Sequence, residues 1–414
     1  MFQRYWLFLF VLLFMTTCKR EVPYLNESTY QIARQTPITI VRKGVPTKDG
    51  GWLVVGQNGN SPVIVKLRSD LSVEWDETYT EFGTGMFNDI IETSDGGYAA
   101  GGFSTFRVDH LTPIDIVNLV LKLSPSHQQE WHWTYRDSVT TKYDQIMALT
   151  ENAEGQLVAV GEGSNLFGHF HILGKDGKYA NSPNGHVYWF QTIIGSLTRY
   201  TDVSILENGN YYLSGLYAIG WQFRDFHAEL DRRVFDDSMT VNFLNYSLDS
   251  LNKSSNEMGE ASEYLKSAHV LVPEGHLIAS YFSERNTDTL RRSIKVSLRT
   301  PDGGIPWVKK FYGVGSTTFE DMVKINDHII LLGSTLPLPG EGTRVSRSSV
   351  MAIDENGNLL WEHVFGPEGF YTSALSAQPE GNNIRILCHS LRPTGERQII
   401  QYTLDPRGKM ITNE

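Results

Sequence analysis

Four carboxylates recur at one place in the sequence and could do chemistry together. An aromatic residue stands one or two positions before each of Asp89, Asp144, Asp202 and Asp321, at the start of a repeated apolar segment. If the fold gathers these carboxylates, they would bind a cation or a polyol. The alternative is structural, with each Asp accepting hydrogen bonds from backbone amides where its segment begins. Recurrence in four copies favours the structural role, because a binding site rarely needs every copy.

Two histidines have the spacing of a metal pair. His169 and His171 flank Phe170, so on a strand both imidazoles face one side. No third ligand is identifiable beside them, and His227 occupies only a similar position in a later segment. The sequence therefore favours a pair of satisfied or exposed histidines, and no metal site is predicted.

Motifs of the common enzyme classes are missing from the sequence. It has no Gly-x-Ser-x-Gly elbow, no His-Glu-x-x-His and no phosphate-binding glycine loop. Cys18 and Cys388 are its two cysteines, too few for a disulfide framework or a cysteine-based zinc site. The net charge of −11, without a basic run, argues against nucleic-acid binding. A non-enzymatic protein without a cofactor is favoured, and an enzymatic role stays open.

The first residues look like an export signal. Arg4 precedes an unbroken apolar run over residues 5–15, which is too short to cross a bilayer as a helix. A short charged start followed by an apolar centre is typical of a secretory signal peptide. The segment Met15-Thr16-Thr17-Cys18 then resembles a bacterial lipobox, in which the cysteine becomes the lipidated first residue. The alternative is an ordinary signal peptide or a short anchor in which Cys18 has no special role.

The lipobox resemblance implies an address in the cell envelope. Residues 1–17 would be removed as a lipoprotein signal peptide, and Cys18 would attach the chain to a membrane through its lipid. Lys19, rather than Asp, follows the cysteine, which by resemblance to lipoprotein sorting favours the outer membrane. Residues 18–36 would then form a lipidated, polar tether.

Self-similarity is the strongest signal in the chain. A hairpin of two apolar strands around a turn with Gly and Asp, Asn or Glu recurs seven times. A third strand follows each hairpin, and in most copies a fourth strand carries an aromatic residue. These aromatics are Trp75, Trp131, Trp189, Phe243, Trp307 and Trp361, spaced 56, 58, 54, 64 and 54 residues apart.

Four antiparallel strands in each of seven copies predict an all-β fold, a single β-propeller of seven blades over residues 37–414. The predicted blades are 37–83, 84–139, 140–195, 196–250, 251–313, 314–366 and 367–414. A solenoid would need shorter units, and two β-sandwiches would not repeat the same turn and tryptophan.

The turns also resemble those of a known group of propellers. Asp-Gly-Gly-aromatic occurs at 49–52 and 95–98, and Asp-x-Asn-Gly-x-x-x-Trp at 354–361. These motifs resemble the PQQ-type and bulb-lectin-like repeats of bacterial envelope lipoproteins. The resemblance covers 37–414 and implies a fold and an envelope location rather than chemistry. PQQ-type alcohol dehydrogenases use adjacent cysteines under the cofactor, whereas Cys388 stands alone here.

Long connections would gather on one face of such a propeller. Segments 104–118, 283–292 and 335–349 join second to third strands, on the face opposite the short Asp-Gly-Gly turns. The Ser- and Asn-rich excursion 231–266 is interpreted as a solvated crossing between blades. Long loops on one rim of a rigid scaffold are where binding usually occurs.

We therefore expect a lipid-anchored envelope propeller, a non-enzymatic binding or assembly scaffold for a protein partner. The alternative is a carbohydrate-binding or glycan-active envelope protein, in which the carboxylates and aromatics such as Trp133 and Trp221 contact sugar. A structural envelope protein without a small-molecule ligand is also compatible with the sequence.

Overall fold

A computed structural model describes most of the chain from Tyr30 onward. The described residues are 30–33, 36–105, 116–135, 144–163, 168–180, 188–190, 196–206, 209–219, 222–230, 243–250, 267–286, 289–300, 304–313, 315–336, 345–367 and 369–411. In this part, besides strands, there is one short 3-10 helix, Thr80–Phe82. No described helix is long and apolar enough to cross a membrane.

Twenty-eight strands make up the described structure. They are β1 (Gln31–Ala33), β2 (Ile40–Pro46), β3 (Trp52–Asn58), β4 (Ser61–Leu67), β5 (Val73–Thr78), β6 (Gly85–Glu92), β7 (Tyr98–Ser104), β8 (Val117–Leu123), β9 (Gln129–Tyr135), β10 (Gln145–Glu151), β11 (Leu157–Glu162), β12 (Gly168–Leu173), β13 (Tyr188–Phe190), β14 (Ser196–Ile205), β15 (Tyr211–Ile219), β16 (Gln222–Leu230), β17 (Phe243–Ser250), β18 (Ser267–Val272), β19 (Gly275–Asn286), β20 (Thr289–Arg299), β21 (Trp307–Phe311), β22 (Ser316–Ile325), β23 (His328–Leu336), β24 (Arg347–Ile353), β25 (Leu359–Phe365), β26 (Tyr371–Glu380), β27 (Asn383–Leu391) and β28 (Arg397–Leu404).

These strands form four-stranded antiparallel sheets arranged as a β-propeller. Sheets 1 to 6 are each made of four consecutive strands, from β2–β5 through β22–β25. Sheet 7 combines β26, β27 and β28 with β1. The first strand of every sheet contacts the first strand of the next, and β26 contacts β2, so these seven strands form a closed inner ring. The prediction of an all-β propeller is confirmed.

Both ends of the chain contribute to the outer strand of sheet 7. After the turn at 405–409, Met410 pairs with Leu404. Further along the same edge of β28, β1 pairs with residues 399–401. The predicted number of seven blades therefore holds only if this shared sheet is counted, because six sheets are formed by consecutive strands.

The predicted boundary between tether and propeller is wrong by several residues. Residues 31–33 fall within the predicted tether 18–36, but they form β1 and belong to the propeller. Segment 367–414 accordingly lacks a complete fourth strand of its own. The reason is local burial, since Ala33 is buried in the core and the ring of Tyr30 lies 5.7 Å from that of Tyr402. Two small apolar contacts within a polar stretch give too weak a pattern to be recognised as a strand.

The core lies between neighbouring sheets. Leu53 and Ile64 of sheet 1, for example, pack in one buried cluster with Phe87 and Leu119 of sheet 2. Middle strands are covered on both faces, so β8 is buried at every residue. This explains why the second and third strands of each copy are nearly continuous apolar runs.

In each Asp-Gly-Gly turn the aspartate forms an ion pair with a buried lysine of the third strand. Asp49 accepts a 2.9 Å hydrogen bond from the amide of Gly51 and forms a 2.7 Å ion pair with Nζ of Lys66, which is only 2% exposed. Burial opposes ionisation of Asp49, but the hydrogen bonds from Lys66, Thr47 and Gly51 lower its pKa to about 2. Asp95 and Lys122 repeat the arrangement in sheet 2, with a 2.9 Å ion pair.

One of the three predicted long connections is not an irregular loop. Most of 283–292 belongs to β19 and β20, which continue in register as far as the Asn286–Thr289 pair. The segment is mostly polar and lacks the apolar pattern of the core strands, so no strand could be recognised there from the sequence. Residues 106–115 of the first connection and 337–344 of the third lie outside the described residues. So do 231–242 and 251–266, whereas 243–250 form β17.

Candidate functional site

A β-bulge interrupts six of the seven inner strands near the middle. In β6 the register shifts between Phe87 and Asp89, in β14 between Tyr200 and Asp202, and similar shifts occur in β2, β10, β22 and β26. A bulge leaves one residue unpaired and turns the next side chain. The residues that follow the bulges, here called the axial residues, are Lys43, Asp89, Ala148, Asp202, Asp321 and Ser376.

Three of the predicted carboxylates are axial residues and share one backbone contact. Asp89, Asp202 and Asp321 each accept, through Oδ1, the amide of the following residue, at 2.9, 3.0 and 2.8 Å. This is the amide-binding role that the structural alternative predicts. A separate role in binding a ligand stays a prediction for these three residues.

The positive charge of Lys43 interacts with the three axial carboxylates. Its Nζ lies 2.9 Å from Oδ1 of Asp89, whose side chain is 2% exposed. Burial alone would lower the pKa of Lys43, but the charges of Asp89, Asp321 and Asp202 raise it above its usual value. Since these residues come from four different sheets, they surround a common axis. Asp89 also accepts the amide of Leu149 from sheet 3 at 2.8 Å, so it links sheets 1, 2 and 3.

Asp144 does not belong to this group. It lies just before β10, is fully buried, and its amide donates to the carbonyl oxygen of Ile116 at 3.2 Å. The bulge of β10 falls between Ile146 and Ala148, so Ala148 takes the axial position. Tyr143-Asp144 matches the aromatic-Asp pattern in sequence, but Asp144 precedes the strand that contains the bulge. A role of Asp144 in binding a ligand stays a prediction.

A Ser-His-Asp arrangement connects sheets 4 and 5. Nδ1 of His269 on β18 lies 3.2 Å from Oδ2 of Asp202 on β14, and Nε2 of the same ring is hydrogen-bonded to Oγ of Ser204. Asp202 and Ser204 are two positions apart on one strand, so both face the neighbouring sheet. The ring of Tyr212 lies 4.9 Å from that of His269 and stacks on His276 at 4.8 Å.

Sequence reasoning missed Ser204 and His269, although a signal was present. They are the first residues of two successive hairpin copies, 204–215 and 269–280, so aligning the copies places them at one repeat position. The alternation of Asp202 with Ser204 is likewise visible. Only their contact across two sheets could not be read from the sequence.

The histidine pair faces one side of β12, as its spacing indicates. Nε2 of His171 lies 3.0 Å from Nδ1 of His169, and both residues are fully buried. Tyr179 and Trp133 enclose His171, with ring centroids at 6.1 and 4.8 Å. Burial lowers the pKa of both imidazoles, that of His169 to about 4.

No group of three or more metal-ligating side chains is found among the described residues. Trp133 is engaged in the packing around His171, stacking also on Tyr135 at 5.8 Å, so it is not the exposed aromatic that a sugar site would use. Cys388 is buried, and burial raises the pKa of its thiol to about 12. Cys18 and Trp221 lie outside the described part of the chain.

Comparison with known proteins supports the fold. No protein-family model and no curated protein matches the chain. Among solved structures, Drosophila semaphorin 1a (extracellular domains 1–2) matches with a TM-score of 0.51 at 8% identity, over 90% of this chain and 87% of that one. Sqt1 from Chaetomium thermophilum matches at 0.48 and 12% identity, over 92% and 100%.

A third match is the PQQ-bound aldose sugar dehydrogenase from Streptomyces coelicolor, with a TM-score of 0.40 and 12% identity over 91% of this chain and 99% of that one. At such identities a structural likeness extends to the fold and not to activity. The likeness to semaphorin 1a therefore concerns the fold alone.

Proposed function

We propose that this chain is a lipid-anchored binding scaffold of the cell envelope, which docks a protein partner on the face that carries the second-to-third connections. The observation that carries the proposal is the long hairpin of sheet 5. Its strands β19 and β20 contain 12 and 11 residues and continue beyond the rest of the sheet.

The end of this hairpin is a two-stranded ribbon. β18 pairs with β19 only over 275–280, and β21 pairs with β20 only over 294–298. Beyond these limits 281–286 and 289–293 pair only with each other in the described structure. We infer that the edges of the ribbon at 281–286 and 289–292 offer backbone N–H and C=O groups to a further strand.

Such an edge is suited to a protein partner. A segment in extended conformation can add to it as a new strand, with main-chain hydrogen bonds supplying much of the affinity. An extended peptide matches the regular spacing of these alternating donors and acceptors, whereas the hydroxyls of a sugar are not spaced in this way. Segment 283–292 has three Arg against one Glu and one Asp, a net charge of +1, which restrains self-association of the ribbon.

The competing glycan role has less support. It relies on axial carboxylates, yet Asp89 is engaged by Lys43 and by the amides of Ile90 and Leu149. It also relies on exposed aromatics, and Trp133 packs against His171. Asp202 and Asp321 remain the carboxylates that a carbohydrate-binding role would use.

The docking test is a pull-down from detergent-solubilised envelopes with the full-length anchored protein. One variant replaces 283–292 with Asn-Gly, which closes a two-residue hairpin and removes the ribbon. A matched control shortens 337–344, another second-to-third connection on the same face. We expect a stoichiometric protein that is lost with the ribbon and kept by the control. A partner kept by both variants contradicts docking through the ribbon, and no protein with any bait shifts support to a glycan.

The anchor is tested separately. Cys18→Ala should abolish incorporation of labelled palmitate and release the protein from the membrane fraction. Wild-type protein that carries no lipid, or a Cys18→Ala protein that stays in the outer membrane, would contradict lipid anchoring. This outcome does not depend on the ribbon, so the two parts of the proposal can fail independently.

A further inference from the structure

We propose that Ser204, His269 and Asp202 form a nucleophilic triad that accepts acyl groups from esters. The arrangement goes beyond the docking function, which does not use these residues. Three independent features carry it: the hydrogen bonds between the three side chains, the strands that hold them, and the partial exposure of Ser204.

The atoms are joined in the order that nucleophilic catalysis requires. Oδ2 of Asp202 lies 3.2 Å from Nδ1 of His269, and Nε2 on the opposite side of the ring is hydrogen-bonded to Oγ of Ser204. A carboxylate on Nδ1 fixes the tautomer whose Nε2 lone pair can take the proton of the hydroxyl. Such triads are recognised by geometry and not by order along the chain.

The supporting contacts hold each member in place. Oδ1 of Asp202 accepts the amide of Val203 at 3.0 Å, which leaves Oδ2 for His269. The ring of His269 packs against Tyr212, whose other neighbour is His276. Strands rather than flexible loops therefore position all three residues, as a working constellation needs.

Ser204 is not sealed in the core of the propeller. Ser204 and Asp202 are half-buried, and the side chain of His269 is 6% exposed. Sheets 4 and 5 meet mainly through β18 against β14 and β15, whereas at the neighbouring interface three strands, β10, β11 and β12, pack on β14. Because Ser204 is only half-buried, part of its surface stays available for contact with a small ester.

The chemistry balances with water as the second reactant. Oγ of Ser204 bonds to the ester carbonyl carbon while its proton moves to Nε2 of His269. The bond between the acyl carbon and the alcohol oxygen then breaks, the C=O bond re-forms, and the same proton passes from His269 to the departing alcohol. Water, deprotonated by His269, attacks the acyl-serine, so the products are a carboxylic acid, an alcohol and the original serine.

The test uses purified full-length protein and a fluorophosphonate probe, with the labelled residue mapped by mass spectrometry. We expect wild-type protein to be labelled at Ser204 and to hydrolyse p-nitrophenyl acetate. Ser204→Ala should abolish both, and His269→Gln should slow labelling by about 10²–10⁴-fold, the usual contribution of a general base. Ser72→Ala is the control, because Ser72 donates to the Asp70 carboxylate at 2.6 Å in a turn without histidine.

Asp202 is expected to act as a positioning residue. Asp202→Asn keeps an oxygen for the amide of Val203, so it should lower kcat for the ester and leave KM nearly unchanged. Wild-type protein that is folded by circular dichroism and yet is not labelled would overturn the proposal, and so would labelling that persists in Ser204→Ala. Because wild-type labelling is decisive, the result does not depend on whether the variants fold.

Discussion

Nε1 of Trp131 donates a 2.8 Å hydrogen bond to the carbonyl oxygen of Lys175, and its indole ring lies against Gly177. Trp131 is on the outer strand of sheet 2, whereas Gly177 is in the turn before the outer strand of sheet 3. Gly177 has φ +73°, and a Cβ at this position would come within 2.7 Å of the ring. Trp131 thus packs its outer strand against the turn that connects the third and fourth strands of the next sheet.

The same contact recurs around the propeller. Trp361 donates to the carbonyl oxygen of Pro406 at 3.1 Å and lies against Gly408, and Trp307 lies against Gly357. In sheet 2 the turn residue with positive φ is His127, whose ring stacks on Trp75 at 4.3 Å. In this turn the position with positive φ is therefore occupied by a histidine that stacks on the tryptophan, instead of by a glycine against which the indole packs.

Gly177→Ala should destabilise the protein through two separable causes. A positive φ costs an L-residue about 1–2 kcal/mol, and the clash with Trp131 adds to this. Gly59→Ala is the matched control, because Gly59 also has positive φ (+58°), whereas a Cβ added there would meet nothing within 4 Å. Chemical denaturation should show a greater loss for Gly177→Ala, whereas equal losses would mean that the indole contact does not matter.

Asp89→Ala tests whether the axial carboxylate is structural. It removes the acceptor for two backbone amides and leaves Lys43, which is 32% exposed, without its 2.9 Å partner. We expect a loss of about 2–4 kcal/mol in the free energy of unfolding, since two buried backbone amides lose their acceptor. Exposed Asp76→Ala should change stability by less than about 0.5 kcal/mol. Equal stability of the two variants would contradict the structural role.

Acid should weaken the fold through its buried histidines. Burial lowers the pKa of His169 and of His389 to about 4, against 6.5 for an ordinary histidine. Between pH 6.5 and 4 the unfolded chain binds protons that the folded chain does not, so stability falls as the pH decreases through this window and levels off below it. Each histidine contributes up to about 1.4 kcal/mol per pH unit.

Thermal unfolding measured from pH 7.5 to 4 checks this prediction. The melting temperature of wild-type protein should decrease most steeply between pH 6.5 and 4, and His389→Gln should show a shallower decrease than wild type. A parallel pH dependence of the two proteins would show that His389 does not take up a proton on unfolding.

The repeat in the sequence was sufficient to predict the propeller. Most strands can be recognised locally, because the apolar run, the Gly-containing turn and the tryptophan of a repeat satisfy local rules of burial and backbone conformation. β1 is the exception. The aromatic that precedes Asp89, Asp202 and Asp321 by two residues coincides with a bulge in each of three inner strands, although no bulge was predicted from it. Local patterns therefore determined the fold class and three of the axial carboxylates.

Only the tertiary structure determined which residues of different sheets contact each other. β1 completes sheet 7 from the other end of the chain, and the ion pair of Lys43 with Asp89 joins two sheets. His269 reaches Asp202 and Ser204 across 67 and 65 positions. Such contacts depend on the angle and spacing between sheets, which arise only when all of them close into a ring. Periodicity along a strand therefore predicts its faces, but not the side chain that the next sheet brings against them.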